Sequence, residues 1–240
     1  MSEITPRVFR PLPGVTVHAF APEWGAVLEH SRTLLDASEL ARAAAYHQPL
    51  DVARFITGRA ALRRLVGHAL GMPPEMLQWD QGAHGKLGLH AQHAAGLEFN
   101  LSHSGNWVLV ALSSLGAVGV DVERIEDHRD LSALAARVFS PREREILNAR
   151  SGRQLVEFFY RTWTCKEAWI KALGAGLSYP LEQLDLHEAA QASPGTRTSV
   201  MDPEGGRSWQ CWRLSLDSEH EAAVVLASSS GIAGSSSRGC

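Results

Sequence analysis

Two acidic residues, Asp121 and Glu123, stand two positions apart in the segment GVDVE, where they alternate with valines. Because successive side chains of a β-strand point to opposite faces, both carboxylates project from one face while Val120 and Val122 enter the core. Carboxylates this close repel each other unless a cation or a proton lies between them, and hard oxygen ligands favour Mg²⁺ or Mn²⁺. The alternative is an exposed edge strand with its acidic residues facing water, because D-x-E alone is a common pattern.

A third carboxylate and a lysine occur in the segment WTCKEAWIKAL at residues 163–173. Glu167 and Lys171 are one helical turn apart and share a face, a spacing that by itself is typical of a surface ion pair. The chain has only three lysines, Lys86, Lys166 and Lys171, and two of them bracket Glu167. We therefore expect Glu167 to join the two strand carboxylates as the third ligand of a Mg²⁺ site, with Lys171 neutralising phosphate charge.

The segment FNLSHSG offers polar groups at the end of a predicted strand. Asn100, Ser102 and His103 supply hydrogen-bonding groups in a turn that suits phosphate oxygens, although a hydrogen-bonded turn without a ligand is the alternative. Ser102 and His103 do not indicate a hydrolase, since no G-x-S-x-G elbow surrounds the serine. Upstream, Lys86 follows Gly85 in a loop flanked by glycines.

Helices and strands must position these segments. Apolar residues recur at helical spacing from a cap at Asp51 to Gly71 and again from residue 154 to Gly174, which predicts two long helices that end at glycine. A capping box at residues 140–143 predicts the start of another helix. The remaining predicted elements are an opening strand and loop at 14–30, a helix from residue 38, strands at 97–101, 107–112, 118–125, 184–186, 209–216 and 222–227, and a turn at 102–106.

This order of elements predicts an α+β fold of two pseudo-symmetric halves with the active site at their interface. We expect an N-terminal half at residues 1–117 and a C-terminal half at residues 118–227, and the alternative is a single continuous α+β domain. Residues 228–240 are rich in serine and glycine and are expected to form a disordered tail.

Composition excludes several classes of protein. The chain has 240 residues, of which 45% are hydrophobic, and its formal net charge of −3 gives no global positive field for nucleic acid or anionic membrane. The apolar stretches are about half the roughly 20 residues that span a membrane, and the N-terminus lacks a signal core, so we expect a cytoplasmic protein. We also expect it to be a monomer. Three cysteines without a C-x-x-C pair argue against a disulfide framework or a thiolate zinc site.

Five segments in this order resemble the 4′-phosphopantetheinyl transferases of the Sfp type: an arginine-bearing helix, a G-K loop, FNLSHSG, GVDVE and WTCKEAWIKALGAGL. The signatures G-[IV]-D-[IV]-E and W-x-x-K-E-x-x-x-K are far more specific together than either is alone. The resemblance implies Mg²⁺-dependent transfer of the phosphopantetheine arm of coenzyme A to a serine of an apo acyl or peptidyl carrier protein, with release of adenosine 3′,5′-bisphosphate. It implies neither a nucleic-acid nor a membrane partner.

The resemblance also implies roles for individual residues. Asp121, Glu123 and Glu167 are expected to be the magnesium ligands, and Glu167 and Lys171 are expected to be catalytic, with Glu167 as the candidate that takes the serine proton. Many members have proline after the loop lysine, whereas Leu87 follows here, so we expect a less rigid loop. The residues expected to contact coenzyme A are Arg54, Arg59, Lys86, Asn100, Ser102, His103 and Lys171, with Arg42 as a weaker candidate.

Two other functions are compatible with these residues. A metal-dependent phosphodiesterase or nuclease also uses D-x-E carboxylates, but it places its lysine two residues after the acid on a strand, and no basic groove is evident. A non-catalytic module that binds coenzyme A or a carrier protein does not need clustered carboxylates, which cost stability. Because carrier proteins are usually acidic, Arg63, Arg64 and Arg137 are candidates for a docking patch.

Overall fold

The computed structural model describes residues 6–82, 85–93, 96–126, 130–176, 179–203 and 206–227. These residues form helices with two four-stranded antiparallel sheets and one short two-stranded sheet, which confirms the predicted α+β class. None of the described helices combines the length and the apolar character needed to cross a membrane. The predicted tail at 228–240 lies outside the described residues.

The first large sheet uses strands from the N-terminal part of the chain. The elements are β1 (Arg7–Leu12), β2 (Val15–Phe20), α1 (Gly25–Arg32), α2 (Ala37–Ala44), α3 (Pro49–Leu70), β3 (Trp79–Gln81), β4 (Leu87–Leu89), β5 (Glu98–Ser104) and β6 (Trp107–Ser113). The strand order is β1-β2-β6-β5, so β5 is an edge strand, while β3 and β4 form the short separate sheet. The apolar face of α3 packs on β5 and β6.

The second large sheet uses strands from the C-terminal part of the chain. The elements are β7 (Val118–Arg124), α4 (Leu131–Val138), α5 (Pro141–Asn148), α6 (Gly152–Leu173), α7 (His187–Gln191), β8 (Thr198–Met201), β9 (Ser208–Leu214) and β10 (His220–Ala227). The strand order is β7-β10-β9-β8, so β7 is an edge strand. Helix α6 lies across β7 and β10.

One apolar core joins the two sheets. Val17 and Leu109 of the first sheet pack in one cluster with Val120 and Val122 of β7. The alternate residues of β7 therefore face α6, and at Gly119 the strand and the helix backbone approach so closely that a Cβ atom there would lie 2.0 Å from a helix carbonyl oxygen. The alternation predicted for GVDVE is confirmed, and the alternative of a strand with its acidic residues in water is wrong.

Helix ends follow their sequence signals at several places. Gly71 and Gly174 end α3 and α6 in the left-handed conformation, with φ of 65° and 76°. The predicted capping box is present at the start of α5. Asp51 is not the N-cap of α3, because Gln48 occupies that position and the Asp51 carboxylate instead accepts a hydrogen bond from Arg54.

The structure corrects three predicted elements. Residues 25–30 of the expected opening loop belong to helix α1. Strand β5 continues through residue 104, so the turn expected at 102–106 is limited to residues 105–106. The strand expected at 184–186 is wrong: this segment links the short 3₁₀ helix Leu181–Gln183 to α7. Leu184 and Leu186 are nevertheless buried, and two buried leucines that alternate with a polar residue imitate a strand in the sequence.

Candidate active site

The two sheets meet along their edge strands, β5 and β7. The side chains of Asn100, Ser102 and Ser104 lie on one face of β5 and accept hydrogen bonds from backbone N–H groups of β7. The donors are the N–H groups of Val120 at 2.9 Å, Val122 at 3.4 Å and Arg124 at 3.0 Å. These polar side chains accept the hydrogen bonds that backbone carbonyl groups would accept if the two strands were paired in one sheet. They therefore fix the position of one sheet against the other.

The carboxylate of Asp121 lies at this junction and is only 2% exposed. Its Oδ1 atom accepts hydrogen bonds from the Ser102 hydroxyl at 2.8 Å and from the Lys171 ammonium at 2.6 Å. Its Oδ2 atom is buried and has no hydrogen-bond partner among the described residues. A buried carboxylate oxygen without a donor is costly, so this atom is suited to a cation or to another ligand.

Glu123 lies next to Asp121 on the same face of β7, as predicted. One of its oxygens accepts a hydrogen bond from Ser104 at 3.2 Å, and the other accepts one from the Trp163 indole at 3.4 Å. Burial, and after it the charge of Asp121, raise the pKa of Glu123. Neither Ser104 nor Trp163 was predicted as a site residue. Ser104 could have been predicted, because residues 100, 102 and 104 alternate along a strand and therefore share one face.

Glu167 extends from α6 toward these two carboxylates. Burial, and after it the charge of Asp121, raise the pKa of Glu167 to about 7, while Lys171 lowers it and Glu123 raises it further. The three predicted carboxylates are therefore near enough to repel one another. Such mutual repulsion favours either a bound cation or a shared proton.

The three carboxylates are the candidate ligands of a metal ion. In the described part of the chain, no three His, Cys, Asp or Glu side chains are arranged so that they could hold a metal ion as they stand. The donor set nevertheless fits a hard divalent cation, because it consists of carboxylate oxygens that include the partnerless Oδ2 of Asp121. The predicted magnesium site therefore stays a prediction.

A cavity of about 400 Å³ opens beside the carboxylates and has walls from both parts of the chain. Eight of the ten predicted site residues line it, whereas Asp121 and Glu123 are not among its lining residues. Arg42, the weaker candidate, lines it too. The eight lining residues are Arg54, Arg59, Lys86, Asn100, Ser102, His103, Glu167 and Lys171.

One wall of the cavity is basic and aromatic. The guanidinium of Arg59 lies 5.2 Å from the centre of the Phe55 ring, and that of Arg42 lies 5.7 Å from it. Burial lowers the pKa of Arg59, and the nearby charges of Arg42 and Arg63 lower it further. The NH1 group of Arg59 is buried without a hydrogen-bond partner among the described residues. An anion at this wall would supply the missing acceptor.

Two further residues border the cavity near the β5–β6 turn. Arg54 donates from Nε to the carbonyl oxygen of Gly105 at 2.7 Å and from NH1 to Asp51 at 2.9 Å. Burial, followed by the charges of Arg54 and Lys171, lowers the pKa of His103. His103 is therefore neutral at pH 7 and has both a hydrogen-bond donor and an acceptor.

The three lysines have different environments. Lys171 lines the cavity, and Lys86 also lines it while donating to the carbonyl of Ala172 at 2.8 Å. Lys166 does not line the cavity: it is fully buried and pairs with Glu143 at 2.8 Å. Of the two lysines that bracket Glu167 in the sequence, only Lys171 therefore reaches the cavity. Positions 166 and 171 are about 140° apart around a helix, so they face different neighbours.

The predicted docking arginines also differ in exposure. Arg63 is fully buried and pairs with Asp36 and Glu39, so it cannot contact a carrier protein. The sequence did not distinguish it from Arg64, which is partly exposed, or from Arg137, which is exposed on α4.

A basic cavity beside clustered carboxylates, in an α+β fold, is suited to an enzyme that binds an anionic ligand. A family profile described as "4'-phosphopantetheinyl transferase superfamily" matches residues 117–226, and one described as "4'-phosphopantetheinyl transferase, N-terminal" matches residues 22–115.

Similar proteins agree with these matches. The 4'-phosphopantetheinyl transferase HetI of Nostoc sp. is 36% identical over 201 residues, which are 83% of this chain and 81% of that protein. A 4'-phosphopantetheinyl transferase of Bacillus subtilis is 30% identical over 182 residues, which are 76% of this chain and 77% of that protein. The human L-aminoadipate-semialdehyde dehydrogenase-phosphopantetheinyl transferase is 26% identical over 191 residues, which are 73% of this chain and 62% of that protein. The chain belongs to the 4′-phosphopantetheinyl transferase superfamily and is a transferase.

Proposed function

We propose that this enzyme is of the Sfp type and transfers 4′-phosphopantetheine from coenzyme A to a serine of an apo acyl or peptidyl carrier protein, releasing adenosine 3′,5′-bisphosphate. One observation carries the proposal: a single cavity has on one wall the Nη1 group of Arg59, which has no hydrogen-bond partner among the described residues, and on another wall Glu167 and Lys171. An elongated ligand with an anionic nucleotide end and a reactive diphosphate suits this distribution of charge.

The α3 wall is proposed to hold the nucleotide end of coenzyme A. Arg59 and Arg54 offer guanidinium groups that can bind phosphate oxygens in a bidentate manner, and Phe55 and Tyr46 add an aromatic surface. Neutral His103 can donate one hydrogen bond without adding charge.

The wall formed by α6 and β5 is proposed to hold the diphosphate. Lys86 and Lys171 bring two ammonium groups, and each already binds an oxygen of the protein, at Ala172 and Asp121 respectively. Ser102 donates to Asp121 and accepts from Lys171, so it orients both partners. Asn100 is bound to β7 by its side-chain oxygen, which leaves its amide N–H₂ group as the donor to offer.

Asp121, Glu123 and Glu167 are proposed to hold Mg²⁺, or alternatively Mn²⁺. When bound, this ion neutralises part of the diphosphate charge that otherwise repels an incoming hydroxyl. The protein keeps the ligands in place through its own contacts, since Ser104 and Trp163 hold Glu123 and Ser102 holds Asp121.

The reaction forms one bond and breaks another. The carrier serine oxygen bonds to the phosphorus that carries pantetheine, and the bond from that phosphorus to the bridging oxygen breaks. The bridging oxygen leaves with the bonding electrons on adenosine 3′,5′-bisphosphate, and Lys171 stabilises the charge that develops. The serine proton passes to Glu167, directly or through water, because this carboxylate lies where the serine hydroxyl must arrive.

The carrier protein is proposed to approach the side of the cavity where Glu167 lies, and the exposed Arg137 of α4 and the partly exposed Arg64 are the remaining candidates for docking contacts. Their charge suits an acidic partner and is expected to change the association rate more than the chemical step.

The proposal is tested by incubating the protein with coenzyme A, Mg²⁺ and apo carriers of fatty-acid, polyketide and peptide synthases. Intact mass spectrometry should find one added phosphopantetheine on at least one carrier and none on its serine-to-alanine variant. EDTA should abolish the addition, and excess Mg²⁺ or Mn²⁺ should restore it. One adenosine 3′,5′-bisphosphate should be released for each carrier that is modified. If no carrier gains mass while a reference transferase modifies the same carriers, the proposal is refuted.

A further inference from the structure

The β5–β6 turn, Gly105–Asn106, lies against a histidine from the other sheet. Gly105 has φ of +52°, and a Cβ atom on it would lie only 2.1 Å from Nε2 of His220. The edge of the imidazole ring therefore packs directly on the Cα of Gly105. The carbonyl oxygen of the same glycine accepts the 2.7 Å hydrogen bond from Nε of Arg54.

The ring of His220 is itself held in place. Its Nδ1 atom is 2.9 Å from Oδ1 of Asp217, and the other carboxylate oxygen of Asp217 accepts a 2.6 Å hydrogen bond from the Trp107 indole. The His220 side chain is 2% exposed, and its Nε2 atom has no hydrogen-bond partner among the described residues. Because Trp107 begins β6 and Gly105 follows β5, these contacts hold both sides of the turn.

A buried imidazole that only fills space in the core costs more free energy than an apolar side chain does. A buried ring nitrogen without a partner costs free energy that an apolar side chain of similar size does not. The hydrogen bond to Asp217 fixes the direction of the ring, which an apolar side chain cannot achieve. The ring therefore supplies a fixed contact at Gly105, and the position of Gly105 in turn sets where its carbonyl meets Arg54.

We propose that His220 is a positioning residue for coenzyme A: it holds the Gly105 turn against the second sheet and thereby orients Arg54 in the cavity. His220 does not line the cavity and acts only through the turn. The identity of the ligand rests on the proposed function, whereas the contact with the turn does not.

The test compares His220→Asn, Arg54→Ala and the double variant. Asparagine keeps a donor near the position of Nδ1 and removes the ring edge that meets Gly105. His187→Asn is the matched control, because His187 makes the same Nδ1 contact with a carboxylate, at 2.9 Å from Asp185, outside the cavity. The two measurements are hydrogen exchange of the peptide spanning residues 100–108 in the ligand-free protein and the Kd for coenzyme A by calorimetry.

We expect His220→Asn to speed exchange in this peptide and to weaken coenzyme A binding about three- to tenfold, while the control changes neither. With Arg54→Ala already present, His220→Asn should change the Kd by less than about twofold, because its effect passes through Arg54. The proposal would be overturned if His220→Asn left the exchange rate or the Kd unchanged. It would also be overturned if His220→Asn weakened coenzyme A binding equally with and without Arg54→Ala. A wild-type protein that binds no coenzyme A would refute the proposed function, and the exchange result would still decide the contact with the turn.

Discussion

The contact of β7 with α6 at Gly119 leads to a strong prediction. A Cβ atom at this position would lie 2.0 Å from the carbonyl oxygen of Ala168 and 2.4 Å from the amide nitrogen of Ala172. Both atoms belong to the backbone of α6, so a rotamer change cannot relieve the clash. To restore an ordinary contact of about 3.4 Å, the helix must move away from the strand by about 1.4 Å.

That displacement has two consequences. It opens the apolar contact between α6 and the second sheet. We therefore expect Gly119→Ala to lower the free energy of unfolding by about 3 kcal/mol or more, which is the upper end of the losses found for overpacked cores. It also moves the helix backbone that carries Glu167 and Lys171 away from Asp121, which disturbs the geometry of the 2.6 Å contact between Lys171 and Asp121. Any protein that remains folded should therefore lose most of its transferase activity.

Urea unfolding measures the first effect, and carrier modification by the folded protein measures the second. Gly88→Ala is the matched control, because Gly88 also lies in a strand and a Cβ atom there meets nothing within 4 Å. We expect this control to stay within about 0.5 kcal/mol of the wild type. If Gly119→Ala unfolds at the same urea concentration as Gly88→Ala, the argument from the backbone contact is wrong.

Three other predictions concern the site and its support. Glu167→Gln should reduce turnover at least about 100-fold while the Kd for coenzyme A changes much less, and equal losses would assign Glu167 to binding alone. Lys166→Met, which breaks a fully buried ion pair outside the cavity, should lower the free energy of unfolding by about 3 kcal/mol and leave the kcat of the folded protein unchanged. Lys171→Met should instead reduce the kcat of the protein that remains folded, and a similar loss of kcat in both variants would contradict this distinction. Burial lowers the pKa of His18, so the unfolded chain takes up a proton more readily than the folded protein does. The free energy of unfolding should therefore fall as the pH drops below about 6.5. His18→Asn should reduce the difference in urea midpoint between pH 7.5 and pH 5.5, whereas the control His68→Asn, at an exposed position, should not.

Local patterns were reliable where the structure depends on neighbouring residues. The alternation of GVDVE predicted that Asp121 and Glu123 share a face, and the glycines at 71 and 174 predicted the ends of both long helices. The helical angle between Lys166 and Lys171, about 500° over five residues, places them on different faces of α6, but the sequence analysis did not use it.

Other features were inaccessible to local patterns. The predicted turn at Ser102 and His103 is part of β5 because the ladder with β6 continues to the pair Ser104–Trp107. The backbone of β7, about 20 residues further along the chain, also binds the side chains of Asn100, Ser102 and Ser104. The strand expected at 184–186 has the right apolar pattern, but its leucines reach the core from a connecting segment. In both cases contacts with other elements, rather than the segment's own composition, decide the conformation.

The amino-acid sequence by itself determined which chemical groups are available and which of them share a face, because strand and helix periodicities are properties of a few consecutive residues. It thereby placed Glu167 and Lys171 together and the two strand carboxylates together. Only the tertiary structure decided that these two faces meet and that Arg63 is buried in an ion pair. It also decided that Nη1 of Arg59, a residue that lines the cavity, has no hydrogen-bond partner among the described residues. These contacts join residues that are far apart in the chain, and they depend on how whole sheets and helices pack, which no short segment encodes.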